Sequence, residues 1–64
     1  MIEFQYNGYN VRILGDIINI SLDNDLILVY SDQHGEQIYG HRTPTRIVEV
    51  REVLQHVREQ ASME

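Results

Sequence analysis

Only one stretch of this sequence places its apolar residues at helical spacing, and nearly everything before it alternates. On an α-helix, Ile47, Val50, Leu54, Val57 and Ala61 step by three and four residues with Val53 beside them, so they form one apolar stripe. A lone amphipathic helix needs another apolar surface to cover, and the residues before Thr43 supply it as short strands.

Ile2, Phe4 and Tyr6 alternate with Glu3 and Gln5, and Tyr9, Val11 and Ile13 alternate with Asn10 and Arg12. Asn7-Gly8 stands between the two runs. That dipeptide favours a type I′ turn, because both central residues need positive φ. A tight hairpin of strands 2–6 and 9–14 follows. Gly15-Asp16 marks either a turn or a bulge, and Ile18, Ile20 and Leu22 define a third strand over 17–22. Asp23-Asn24-Asp25 is a turn by side-chain chemistry. Strand 26–31 contains Leu26-Ile27-Leu28-Val29-Tyr30, apolar at every position. Such a strand is expected to be covered on both faces, by the helix on one side and by a barrel wall or a second copy on the other. A weaker strand spans 36–40.

Thr43 suits the N-cap and Pro44 the first helical position, where a missing N–H costs nothing. The spacing therefore predicts a helix over 44–61. A rival assignment puts a strand over 45–50, because Ile47, Val48 and Val50 are β-branched, and starts the helix near Arg51. The long stripe favours the helix, with Glu49, Glu52, His56 and Glu59 opposite it and 62–64 fraying. The expected fold class is α+β: an antiparallel β-meander of four to five short strands in one domain, either open or a small SH3-like, partly open barrel, with one C-terminal amphipathic helix.

Size sharpens this reading. A chain of 64 residues buries about 60% of its unfolded surface. With no cysteine it has neither a disulfide nor a thiolate zinc site to reinforce it. The absence of cysteine also fits a cytoplasmic protein. Met1-Ile2-Glu3-Phe4 has no basic and apolar regions of a signal peptide, and no apolar run reaches membrane-spanning length. Ten acids against five bases, all arginine, leave a net charge of −5, which disfavours nucleic acid as a partner.

Four groups of residues have side chains suited to chemistry. His41, Arg42, Thr43 and Arg46 surround the helix start, where free N–H groups and cations favour a phosphate or carboxylate. The plainer account is that Thr43 caps, Arg46 pairs with Glu49 and Arg42 faces water. Tyr6, Tyr9, Tyr30 and Tyr39 form a second group. Tyrosine suits interfaces, although Tyr6 and Tyr9 are also explained by packing across the hairpin. His34, His41 and His56 share no ligand spacing and read as surface residues, His56 pairing at most with Glu52. Asp23 and Asp25 lack the downstream ligands of a calcium loop. No catalytic motif is present, no metal or other cofactor is expected, and an enzyme is not expected.

The leading expectation is a noncatalytic protein-interaction module, a small regulator or inhibitor that self-associates or occupies another protein's surface through Tyr9, Tyr30, Tyr39, Ile27 and Val29. The alternative is a binder of a small anionic ligand or nucleotide held by His41, Arg42, Thr43 and Arg46 between protomers.

Overall fold

The computed structural model describes the backbone through residue 62 and side chains through residue 60; the place of Ala61 in the stripe and the fraying over 62–64 lie outside the described residues. The chain forms β1 (Ile2–Tyr6), β2 (Tyr9–Leu14), β3 (Ile17–Leu22), β4 (Asp25–Ser31), β5 (Gly35–Ile38) and α1 (Pro44–Ser62). The strands lie in chain order in one antiparallel sheet whose edges are β1 and β5. It is an α+β meander, and the sheet is open.

Each turn follows from its residues. Asn7 and Gly8 take φ of 51° and 82°, which makes Tyr6 and Tyr9 the closing pair of a two-residue hairpin. Gly15-Asp16 forms a turn and not a bulge, because Leu14 pairs directly with Ile17. Asp23 and Asn24 take positive φ at the next corner.

The register sorts side chains onto two faces. Phe4, Val11, Ile20, Leu28 and Ile38 lie in one row across the five strands. This is the face that α1 covers. Val50, Val53, Leu54 and Val57 meet Val11, Ile18, Ile20, Ile27 and Leu28 in one buried cluster, with Tyr9 at its border. The helix stripe is thereby confirmed from Val50 to Val57, and α1 runs unbroken through 45–50, so the strand alternative for that segment does not form. Burial decides against β-branched propensity, as packing usually does for a helix of this length.

Of the two covers expected for the far face of β4, the barrel wall does not form, and a bulge reduces what that face carries. Ile20 pairs with Leu28 but Ser21 pairs with Leu26, so Ile27 is an extra residue in β4. A β-bulge of this kind turns two consecutive side chains to the same side. Ile27 and Leu28 are accordingly 1% and 0% exposed, both in the core. Leu26 and Val29 are left on the far face, and neither α1 nor a barrel wall covers them.

One prediction comes from this core. Leu28→Ala is expected to cost about 2–5 kcal/mol, against the roughly 3–5 kcal/mol that a core of this size supplies. Urea titration followed by circular dichroism should show a midpoint shifted well below that of the parent at 25 °C. Val48→Ala, on the exposed side of α1, should stay within about 0.5 kcal/mol of the parent.

Candidate functional site

The corner that leads into α1 brings together His41, Arg42, Thr43 and Arg46, as their closeness in sequence requires. Thr43 is the N-cap: its Oγ1 accepts the backbone N–H of Arg46 at 3.2 Å, and its carbonyl accepts that of Ile47 at 3.1 Å. His41 is exposed.

Arg42 does not face water. Its Nε donates to the Tyr39 carbonyl at 2.8 Å, Nη1 to Asp25 Oδ2 at 2.8 Å and Nη2 to the Leu26 carbonyl at 3.1 Å. One guanidinium thus ties the segment after β5 to the start of β4. Gly40 makes room for it, since a Cβ there would lie 3.4 Å from the guanidinium and φ is +77°. The hydrogen bond from Arg42 holds the Asp25 carboxyl below the usual aspartate range.

Arg46 is also engaged. Its Nη1 donates to the Tyr9 hydroxyl at 2.6 Å and to Glu49 Oε1 at 3.3 Å, and that hydroxyl donates to Glu49 Oε1 at 2.8 Å. The three groups close a small polar ring above the end of β2. Burial raises the Tyr9 phenol above its ordinary value; the Arg46 hydrogen bond opposes this and the Glu49 one adds to it. An anion arriving here would compete with Asp25 for Arg42 and with Tyr9 and Glu49 for Arg46.

The interface candidates separate by burial. Tyr9 is 3% exposed and Ile27 1% exposed, so the fold buries both and neither is offered to a partner. Tyr30 is half-buried on the helix side with the Arg58 guanidinium 4.7 Å from its ring centroid, and its hydroxyl donates to Asp32 at 3.3 Å. Val29 and Tyr39 remain accessible, and the Tyr39 hydroxyl donates to Gln37 at 3.3 Å. Tyr6 pairs with Tyr9 across the hairpin, but its ring stacks on His56 at 4.0 Å and 9°. His56 is therefore a packing residue between α1 and β1 and not the surface group expected.

Sequence reasoning missed Leu14, Ile17 and Leu26. All three are exposed, and together with Val29 and Tyr39 they dot the sheet face opposite α1. Leu14 pairs with Ile17, and Val29 sits diagonally from Ile17 across Asn19. A shallow recess of about 250 Å³ opens between Ile17, Val29, Ser31, His34 and Gln37. The signal was present: Ile13-Leu14 and Ile17-Ile18 are apolar doublets that break otherwise alternating strands, so one member of each has to face away from the core. Among the described residues, no group of three or more histidines and carboxylates stands close enough to hold a metal ion.

No family model matches the chain, and neither does any curated protein or solved structure.

Two pH limits follow from this corner. The folded value of Asp25 lies below the ordinary one, so its contribution to stability is present above about pH 4 and is lost as pH falls through the folded value. Arg42→Ala should lower the melting temperature at pH 7 and abolish that acid limb. Arg12→Ala, which breaks an exposed pair with Glu3, should change stability by less than about 0.5 kcal/mol. Tyr9 is raised in the folded state, so its contribution is intact below about pH 10 and is lost as pH rises through the folded value. Tyr9→Phe should cost about 1 kcal/mol at pH 7 and flatten the alkaline limb, both read from thermal melts across pH.

Proposed function

We propose that the chain is a noncatalytic protein-interaction module, a small cytoplasmic regulator or inhibitor that self-associates and occupies a surface of another protein. The observation that carries this reading is the sheet face opposite α1. Leu14, Ile17, Leu26, Val29 and Tyr39 lie there among Asn10, Arg12, Asn19, Ser21 and Gln37, with no described element of the chain over them. Apolar side chains rimmed by polar groups, the one cation among them paired with Glu3, suit a protein partner.

Charge narrows the kind of partner. Each arginine is already engaged within the chain: Arg12 by Glu3, Arg42 by Asp25, Arg46 by Glu49, Arg51 by Glu36, and Arg58 over the Tyr30 ring. The field that a partner meets is set by the remaining carboxylates of a chain with net charge −5. A basic protein surface is favoured and a nucleic-acid backbone is not. No helix among the described residues is long and apolar enough to cross a membrane. The reading of the helix start as a site for an anionic ligand or nucleotide is the weaker one, because Arg42 and Arg46 already serve the fold.

Native mass spectrometry of protein purified gently from its source tests this reading. Parent protein should carry a partner mass. Ile17→Asp should lose it, with affinity reduced by about tenfold or more and the circular dichroism spectrum unchanged. A strict monomer that retains no partner would overturn the proposal.

A further inference from the structure

The two edges of the sheet are built differently. β5 has four residues and turns Glu36 toward the helix side, where Arg51 Nε donates to it at 2.6 Å. A short edge strand resists pairing with another chain. β1 is the longer edge. Its five residues, Ile-Glu-Phe-Gln-Tyr, contain no proline or lysine, and its pairing with β2 runs without a bulge. Its one carboxylate, Glu3, is neutralised by Arg12 at 2.7 Å.

The helix leaves this edge open. α1 packs most closely on β3, at the centre of the sheet. On the helix side of β1, Ile2 is 59% and Phe4 37% exposed, while Tyr6 is half-buried under His56. The two-residue hairpin makes Tyr6 and Tyr9 a hydrogen-bonded pair, so alternate residues direct their backbone toward β2. The N–H and C=O groups of Glu3 and Gln5 therefore point outward along the free edge.

We infer that β1 pairs antiparallel with β1 of a second copy, about a two-fold axis at Phe4, joining two sheets into one. This deepens, and rests on, the reading of the chain as an interaction module, and it supplies the surface for self-association. Three symmetric registers are available to the strand. Centring on Glu3 sets two carboxylates against each other, which is destabilising. Centring on Gln5 places Glu3 opposite Asn7, in the turn, and shortens the ladder. Centring on Phe4 uses all five residues. Phe4 then meets Phe4 of the second copy, and Ile2 meets Tyr6, all on the helix side, while Glu3 faces Gln5 on the other. No like charges oppose. Glu3 and Gln5 are also the residues whose backbone groups are free, so they form the hydrogen-bonded pairs of the new ladder. The contact is self-complementary, as a two-fold interface has to be. A five-residue strand with one apolar strip lies at the small end of interface sizes, so the dimer is a concentration-dependent equilibrium.

Analytical ultracentrifugation across protein concentration, paired with amide hydrogen exchange, tests this. The parent protein should pass from monomer to dimer, and the Glu3 and Gln5 amides should gain protection in step. Gln5→Glu places carboxylates opposite each other twice, and Gln5→Lys places opposite charges there twice. The first should weaken and the second strengthen dimerisation, each by about 2- to 30-fold. Phe4→Lys should be monomeric with an unchanged circular dichroism spectrum, since Phe4 is partly exposed.

Gln5→Glu and Gln5→Lys shifting dimerisation in the same direction would overturn the inference. So would a dimer in which the Glu3 and Gln5 amides exchange at one rate at every concentration, or protection that appears in a monomer only when another protein is added. If the parent stays monomeric yet retains a partner that Ile17→Asp loses, the edge pairing falls and the interaction reading stands. A monomer that retains no partner removes both.

Discussion

Everything in this protein depends on one layer of contact, the Val50–Val57 stripe of α1 against the middle of a single sheet. Among the described residues the sheet has no second cover, so Val11, Ile20, Leu28, Val50 and Val53 supply nearly all of the fully buried apolar volume together with Ile27. A chain this short cannot add a second core. The β4 bulge fits that constraint. By turning Ile27 to the same side as Leu28, it moves one more large side chain under the helix through one extra residue in β4. The bulge thus trades regular pairing for burial where the helix crosses.

The helix has to be held in register over so small a contact, and polar groups at its start do this. Thr43 fixes the first turn, Arg42 fastens the incoming segment to Asp25 and Leu26 on β4, and the Arg46–Tyr9–Glu49 ring fastens the first two turns to β2. Further along, the His56 ring on Tyr6 and the Arg58 guanidinium over Tyr30 flank the stripe on opposite sides. These contacts join residues that are 16 to 40 positions apart in several cases. They span the loop-closure distances over which a meander with one helix has to be organised.

Local features were legible in the sequence and long-range ones were not. Asn7-Gly8 and Asp23-Asn24 announce their turns because positive φ selects those residues, whereas Gly15-Asp16 left turn and bulge open until the register decided. Thr43-Pro44 announces the helix start because an N-cap is chemistry within four residues. The bulge at Ile27 is invisible for a specific reason: in a run apolar at every position, inserting one residue leaves the pattern unchanged. Arg42 looked free for a ligand because its partner, Asp25, lies 17 residues away in a turn that seemed complete in itself. Tyr9 looked like an interface residue because tyrosine is common at interfaces, and the helix crossing above it buries the ring. The patch of Leu14 and Ile17 was readable from its doublets, but the face it occupies became clear only with the register.

The two surfaces proposed for binding would reinforce each other geometrically. A two-fold axis through Phe4 and perpendicular to the sheet keeps both helices on one side and both uncovered faces on the other. The apolar residues Leu14, Ile17, Leu26 and Val29 of each copy then lie on one continued surface, and the edge strand β1 joins the two patches without consuming either. Such an arrangement presents two equivalent contacts to a partner, and the second contact forms at the high effective concentration set by the first. A small, weakly apolar patch is poorly suited to tight binding alone, since association entropy must be overcome before any surplus appears. Doubling it meets that cost once for two patches. The longer edge strand, β1, lies where the proposed pairing would extend the proposed face symmetrically, and the shorter β5 offers less backbone to the repeated addition that would turn a closed dimer into an open fibre.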